Sequence, residues 1–380
     1  MTPGPTVSDY VWSGAAAGAA LAMGLLLVTA RTEDGQNPWL ALSPDGRQYV
    51  AMAEHRDAAP PFAYRRVMPY LASLLPGRAT TGLRLVSYAS LFSTYVAALV
   101  LLRSRGFSRP VSLLALSCVF ASTNHLLLYQ NPHLPEAFAL LCLTLMTRAL
   151  LERRLGWFAG FAVVGVLARE TCVFLLPALA VRRRWGWLAL SLVLGAVTLA
   201  LSRPWPEAYA SYQPAGSPWS LRFVAQVFLS WGALWVVILS GVGLWTRAGE
   251  WAVVASFACL AAGAALTSLK AYDVMRMFTL LTPVALLATA AHLQELGMRS
   301  RAAVITLVVS MLGNVLVAFP ETLLTGSAGG MEHLEEFYRA HRWEIAAMQG
   351  TALACALASV YALRSRLLGG PGGVRSGPRC

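Results

Sequence analysis

Apolar residues do not alternate with polar ones along this chain; they come in long runs separated by short polar stretches. A run of about 20 such residues can cross a bilayer core as a helix. We read these runs at residues 11–30, 83–102, 110–124, 136–150, 156–168, 171–181, 186–202, 221–245, 251–269, 276–295, 302–319 and 344–363. Those at 110–124, 156–168 and 171–181 are too brief for a full perpendicular α-helical crossing and are expected to be partial or broken spans. No basic segment precedes the first run, which reads as a retained span and not a cleaved signal. The pattern predicts an all-α, polytopic membrane helical bundle of about 12 spans, one domain over residues 1–368. The Gly/Pro/Arg-rich tail, 369–380, is expected to be a disordered cytoplasmic end.

Composition sharpens this picture. Of 380 residues, 57% are apolar and only 13% charged, against about 25% charged in a soluble domain. Mean hydropathy is +0.57. These values exclude a soluble globular enzyme, a disordered chain and a nucleic-acid binder. The net charge of +12 is instead a matter of topology. Compact basic clusters (Arg103/Arg105/Arg109, Arg153/Arg154, Arg182/Arg183/Arg184, Arg299/Arg301 and Arg364/Arg366) fall at every second boundary between runs, the positive-inside pattern. With those loops and both termini cytoplasmic, the inner side holds 16 basic and 4 acidic residues and the outer side 14 of each. The whole excess lies on one side.

The outer side carries the longer loops, and the longest is 31–82. Within it, Gln48 to His55 reads as a helix after a Pro44-Asp45-Gly46 turn, and Ala63 to Leu75 as a helix lying in the interface plane. Trp205 and Trp219 are expected in the interfacial belt, and Met331 to Trp343 as an amphipathic outer segment. Five of the six cysteines lie inside apolar runs with no metal-ligand spacing, so neither disulfides nor a metal is expected from them.

Ionisable groups at a membrane edge are costly and are therefore functional candidates. Four segments qualify: Ser43-Pro44-Asp45-Gly46-Arg47-Gln48-Tyr49; Pro61-Phe62-Ala63-Tyr64-Arg65-Arg66-Val67-Met68-Pro69; Asn131-Pro132-His133-Leu134-Pro135-Glu136; and Arg169-Glu170-Thr171. Each has a plainer alternative. Asp45 could cap the helix that follows it, and Arg65 and Arg66 could anchor at lipid headgroups. Glu136 could complement a helix dipole, and Arg169 with Glu170 could pair to satisfy the break between two partial spans. His133 and Glu136 make a divalent metal conceivable, but His-x-x-Glu alone does not support one, and no cofactor is expected.

Four of these features together resemble a known family. The acidic residue in the first outer loop, the Asp-Gly-x-x-Tyr start, the Pro-Phe-x-Tyr-Arg-x-x-x-Pro segment and the Arg-Glu-Thr between short helices look like polyprenyl-phosphate-sugar-dependent glycosyltransferases of the GT-C superfamily. Tyr272…Arg276-Met277-Phe278…Pro283 is similar to that superfamily's Arg-aromatic-Pro span. The resemblance covers roughly residues 10–290. Many relatives carry paired acids in the first loop; here Gly46 follows Asp45, so a single-acid version applies. It implies Asp45 and Glu136 as catalytic candidates, and Tyr64, Arg65, Arg66, His133, Arg169, Glu170 and Arg276 as binding residues for substrate and lipid phosphate.

The chemistry is consistent on its own terms. Glycosidases need two carboxylates because an alkoxide leaving group must be protonated. A polyprenyl phosphate leaves as a stable anion, so one carboxylate suffices, taking the acceptor's proton as its hydroxyl attacks the anomeric carbon. Arginine's planar fork suits the departing phosphate. The implied function is an inverting transfer from a polyprenyl-monophosphate sugar to an unknown acceptor on the extracytoplasmic side. The alternatives are a transporter or flippase for a lipid-linked or small polar substrate, and a scaffold that binds lipid-linked sugar without turnover. Transporters commonly show two similar halves, whereas the long outer loop here has no counterpart in the second half. Partners are the lipid-linked sugar and membrane lipids, with no nucleic acid. Arginine-rich, alanine-rich composition points to a bacterial inner membrane.

Overall fold

The computed structural model describes residues 5–29, 42–58, 62–120, 122–183, 185–202, 221–268, 274–297 and 342–369. The expectations for 302–319, Trp205, Trp219, the stretch 331–341 and the tail beyond Gly369 lie outside these residues. The described chain is all-helical, with no strand. Its α-helices are α1 (Val7–Thr29), α2 (Pro44–Ala53), α3 (Val67–Ser73), α4 (Ala79–Ser104), α5 (Arg109–Phe120), α6 (Thr123–Gln130), α7 (Glu136–Leu151) and α8 (Leu155–Ala168). They continue as α9 (Trp185–Ser202), α10 (Leu221–Trp231), α11 (Leu234–Arg247), α12 (Trp251–Ser268), α13 (Val274–Met277), α14 (Thr282–Leu296) and α15 (Arg342–Gly369). Three 3-10 helices, Phe62–Tyr64, Glu170–Arg182 and Phe278–Leu281, lie between them.

Helices α7 and α14 sit at the centre. α7 packs on α4, α8, α14 and the 3-10 helix Glu170–Arg182, while α14 packs on α5 and α11. From Thr282 to Leu293 every residue of α14 is buried, as expected of a helix apolar on all faces. Several polar residues inside the helices are satisfied locally. Thr94, Thr144, Thr147 and Ser256 each donate to the carbonyl four residues back, at 2.7–2.8 Å. His292, fully buried in α14, lies 3.0 Å from Ser240 Oγ and 3.1 Å from Ser359 Oγ, tying three helices together.

By length and composition, two described helices can cross a membrane, Ala79–Ser104 and Trp251–Ser268. Several expected single runs are broken or short. The run 221–245 is split at Gly232, whose φ of 52° belongs to the left-handed region that glycine tolerates. The run 276–295 is divided into α13, a 3-10 turn and α14, and α7 has 16 residues. The brief run 171–181 is a 13-residue 3-10 helix with Pro177, which lacks an N–H, inside it. At about 2 Å per residue it reaches roughly 26 Å, where an α-helix of that length reaches about 20 Å.

Charge is sorted to two ends of the bundle. α4 carries Arg84 near its start and Arg103 near its end, with no charged residue between them; that interval spans about 28 Å. At the Arg103 end, Asp9 forms a capping box with Thr6 and accepts from Arg103 at 3.0 Å. Arg105 pairs there with Glu250 at 3.1 Å, and Arg148 with Glu152 at 2.7 Å. Large apolar side chains face outward on the flanks, among them Trp157, Val193 and Leu266, all more than half exposed.

Candidate functional site

The other charged end gathers residues from six separate parts of the sequence. Helix α2 begins with Ser43 as its N-cap: Ser43 Oγ accepts from the Gly46 N–H at 3.0 Å, and Pro44 occupies the first turn. This overturns the capping alternative for Asp45, because Ser43 does that work. Asp45 instead points its Oδ2 at Arg276, whose Nη1 and Nη2 both lie 3.5 Å away. Gly46 is there for space: a Cβ on it would meet the Cβ of His133 at 3.2 Å.

Arg65 follows the Phe62–Tyr64 turn. Its Nε and Nη2 donate to the two oxygens of Glu170 at 3.0 and 2.8 Å, and Nη1 donates to the Tyr49 hydroxyl at 2.9 Å. The fork expected for phosphate is thus occupied by a carboxylate. Tyr49 is buried against Phe62, edge to face at 5.7 Å between centroids. Burial, opposed by the Arg65 charge, leaves the Tyr49 hydroxyl pushed up to about 12, so it stays protonated.

Glu136 opens α7 with its side chain 4% exposed. Its Oε1 lies 2.6 Å from Arg169 Nη1 and, in an ion pair without a hydrogen bond, 3.3 Å from Arg276 Nε. Its Oε2 has no hydrogen-bond partner among the described residues. Arg169 also directs Nη2 at the sulfur of Met277, 3.4 Å away. The expected Arg169–Glu170 pairing is therefore corrected: Arg169 pairs with Glu136, and Glu170 with Arg65. Arg169 has extended backbone, φ −158° and ψ 124°, which sends consecutive side chains to opposite sides.

His133 is buried and accepts from Arg84 Nε at 3.1 Å. Burial, assisted by the Arg84 charge, lowers the imidazole to about 4 and keeps it neutral. His133 Nε2 thus serves one arginine and Glu136 Oε1 two. No group of three His, Cys, Asp or Glu residues is placed to hold a metal among the described residues. Arg66 is the expected binding residue that stands apart: it is exposed and donates to the carbonyl of Ala63 at 3.0 Å. Tyr64 is buried in its turn.

Three carboxylates (Asp45, Glu136, Glu170) and three guanidiniums (Arg65, Arg169, Arg276) are interleaved as ion pairs, and Arg84 adds a fourth guanidinium through neutral His133. Beside it lies a small cleft lined by the polar residues Glu136, Arg169, Arg276 and Thr279 and the apolar residues Ala139, Leu140, Leu143 and Leu280. An acid, forked cations and an apolar wall suit a ligand with a charged head and an apolar tail. Arg84 and Tyr49 escaped the sequence reading as site residues. Arg84 is the charge at the edge of an apolar run, and Tyr49 lies one helical turn beyond Asp45, so each had a signal. Comparisons with family models, curated proteins and solved structures gave no match.

Proposed function

We propose that this chain is an integral membrane glycosyltransferase of the GT-C type, with about 12 crossings, both termini cytoplasmic and the Asp45 cluster on the extracytoplasmic side. It moves a sugar, with inversion, from a polyprenyl monophosphate to an acceptor hydroxyl. The observation that carries this reading is the difference between the carboxylates. Glu136 is buried and held on one oxygen by two arginines, and Glu170 is gripped by both arms of Arg65. Asp45 is the most exposed of the three, at 31%, with contacts to Arg276 no shorter than 3.5 Å. It is the carboxylate most open to an acceptor hydroxyl, and Arg276 beside it is the cation to meet the departing phosphate.

The outward-facing tryptophans and aliphatic side chains support a lipid environment, since a soluble surface rarely carries so many. The test supplies purified protein with radiolabelled polyprenyl-phosphate sugar and cell-envelope acceptor. Release of free polyprenyl phosphate together with labelled acceptor is expected. Movement of the intact lipid-linked sugar across a vesicle bilayer, with neither product formed, would support the flippase instead.

A further inference from the structure

Arg276 is divided between two carboxylates of unequal grip. Its Nε lies 3.3 Å from Glu136 Oε1, an ion pair without a hydrogen bond, and Glu136, with its side chain 4% exposed, also holds Arg169. Its two Nη nitrogens share a single oxygen of the half-open Asp45 at 3.5 Å. A buried, doubly held anion is costly to strip of a partner, whereas a long contact at a partly exposed carboxylate is weak. The guanidinium therefore has one side turned to a buried carboxylate and one side, at the partly exposed Asp45, that an incoming anion can reach. The planar pair of Nη groups presents two parallel donors, which fit two oxygens of a phosphate better than one oxygen of Asp45.

We propose that the Asp45–Arg276 contact is a latch opened by substrate: a prenyl-linked phosphate takes the Nη fork of Arg276 and so releases Asp45. This rests on reading the cluster as a lipid-phosphate site. The latch couples the two halves of the reaction. Until the carrier phosphate is seated, Asp45 is turned toward Arg276; once it is seated, Asp45 is freed toward the acceptor hydroxyl. The lipid carrier binds productively first. No bond is made or broken in the exchange, and the Glu136–Arg276 contact persists through it.

The test is calorimetric binding of farnesyl phosphate to the full chain in detergent, for wild type, Asp45→Asn, Arg276→Gln and the double variant. Glu136 keeps Arg169 in every case, so no buried carboxylate is orphaned. Removing the competitor in Asp45→Asn should tighten binding about two- to fivefold, the size expected for a partly exposed ion pair. Arg276→Gln should weaken binding, and adding Asp45→Asn to it should then change nothing. The same tightening with or without Arg276 would mean simple charge repulsion and would overturn the latch. So would wild-type and Asp45→Asn affinities that match. An Asp45 effect on binding of farnesol, which lacks the phosphate, would count against it equally. If wild type does not bind farnesyl phosphate at all, the lipid-phosphate reading falls with it; binding without tightening removes the latch alone.

Discussion

Arg65 and Glu170, 105 positions apart in sequence, are joined by two hydrogen bonds of 3.0 and 2.8 Å. That one contact fastens the segment between α2 and α3 to the start of the 3-10 helix Glu170–Arg182, and the third arm of Arg65 adds α2 through Tyr49. The loop carrying Asp45 is therefore built into the bundle.

Glu170→Gln should lower stability by about 1–3 kcal/mol, the usual range for a hydrogen bond to a charged partner. Arg65→Lys should not rescue the wild-type value, because an ammonium cannot reproduce two parallel bonds. Thermal unfolding in detergent measures both. An unchanged Tm for Arg65→Lys would mean that charge alone matters at this position.

A sharper loss is expected in the buried pair. Glu136→Ala leaves Arg169 buried without its carboxylate and should cost about 3–5 kcal/mol. Arg66→Ala removes an exposed side chain and should stay within about 0.5 kcal/mol of wild type. The two together test the division of the paired and unpaired arginines, with chemical denaturation as the measurement.

Between about pH 4 and 6.5, His133 contributes to the pH dependence of stability at this end. His133 titrates at about 4 in the fold against an ordinary 6.5. Between those values the unfolded chain binds the proton and the folded one does not, so stability is full above 6.5 and falls as pH drops toward 4. His133→Gln keeps an acceptor for Arg84 and cannot titrate. It should flatten that part of the Tm-against-pH curve, and an identical curve would remove His133 from the account.

The positions of the helices were legible because long apolar burial demands apolar sequence: 83–102 and 251–269 lie within a residue or a turn of α4 and α12. The 3-10 conformation of Glu170–Arg182 was not legible, since an apolar run with one proline has no distinct 3-10 signature. For the site, the residue types were readable and their partners were not. Arg169 and Glu170 are neighbours in sequence, and the extended backbone at Arg169 parts them. Ser43 displaced Asp45 as cap by a choice of two nearby polar residues that composition does not decide.

Orientation is tested by sited labelling. In a background lacking native cysteines, Glu54→Cys lies near the Asp45 end and Arg154→Cys in the basic loop after α7; both native side chains are exposed. An impermeant maleimide applied to intact cells should label the first and spare the second. The reverse pattern would invert the topology and place the cluster on the cytoplasmic side.

Turnover by Asp45→Asn tests the central claim most directly. Ser43 caps α2 by itself, so the variant should fold and melt like wild type. Losing a general base typically slows a reaction about 10²–10⁴-fold, and release of polyprenyl phosphate from the radiolabelled donor should fall by that much. Near-wild-type turnover with unchanged stability would contradict the account, leaving Asp45 as no more than the carboxylate beside Arg276.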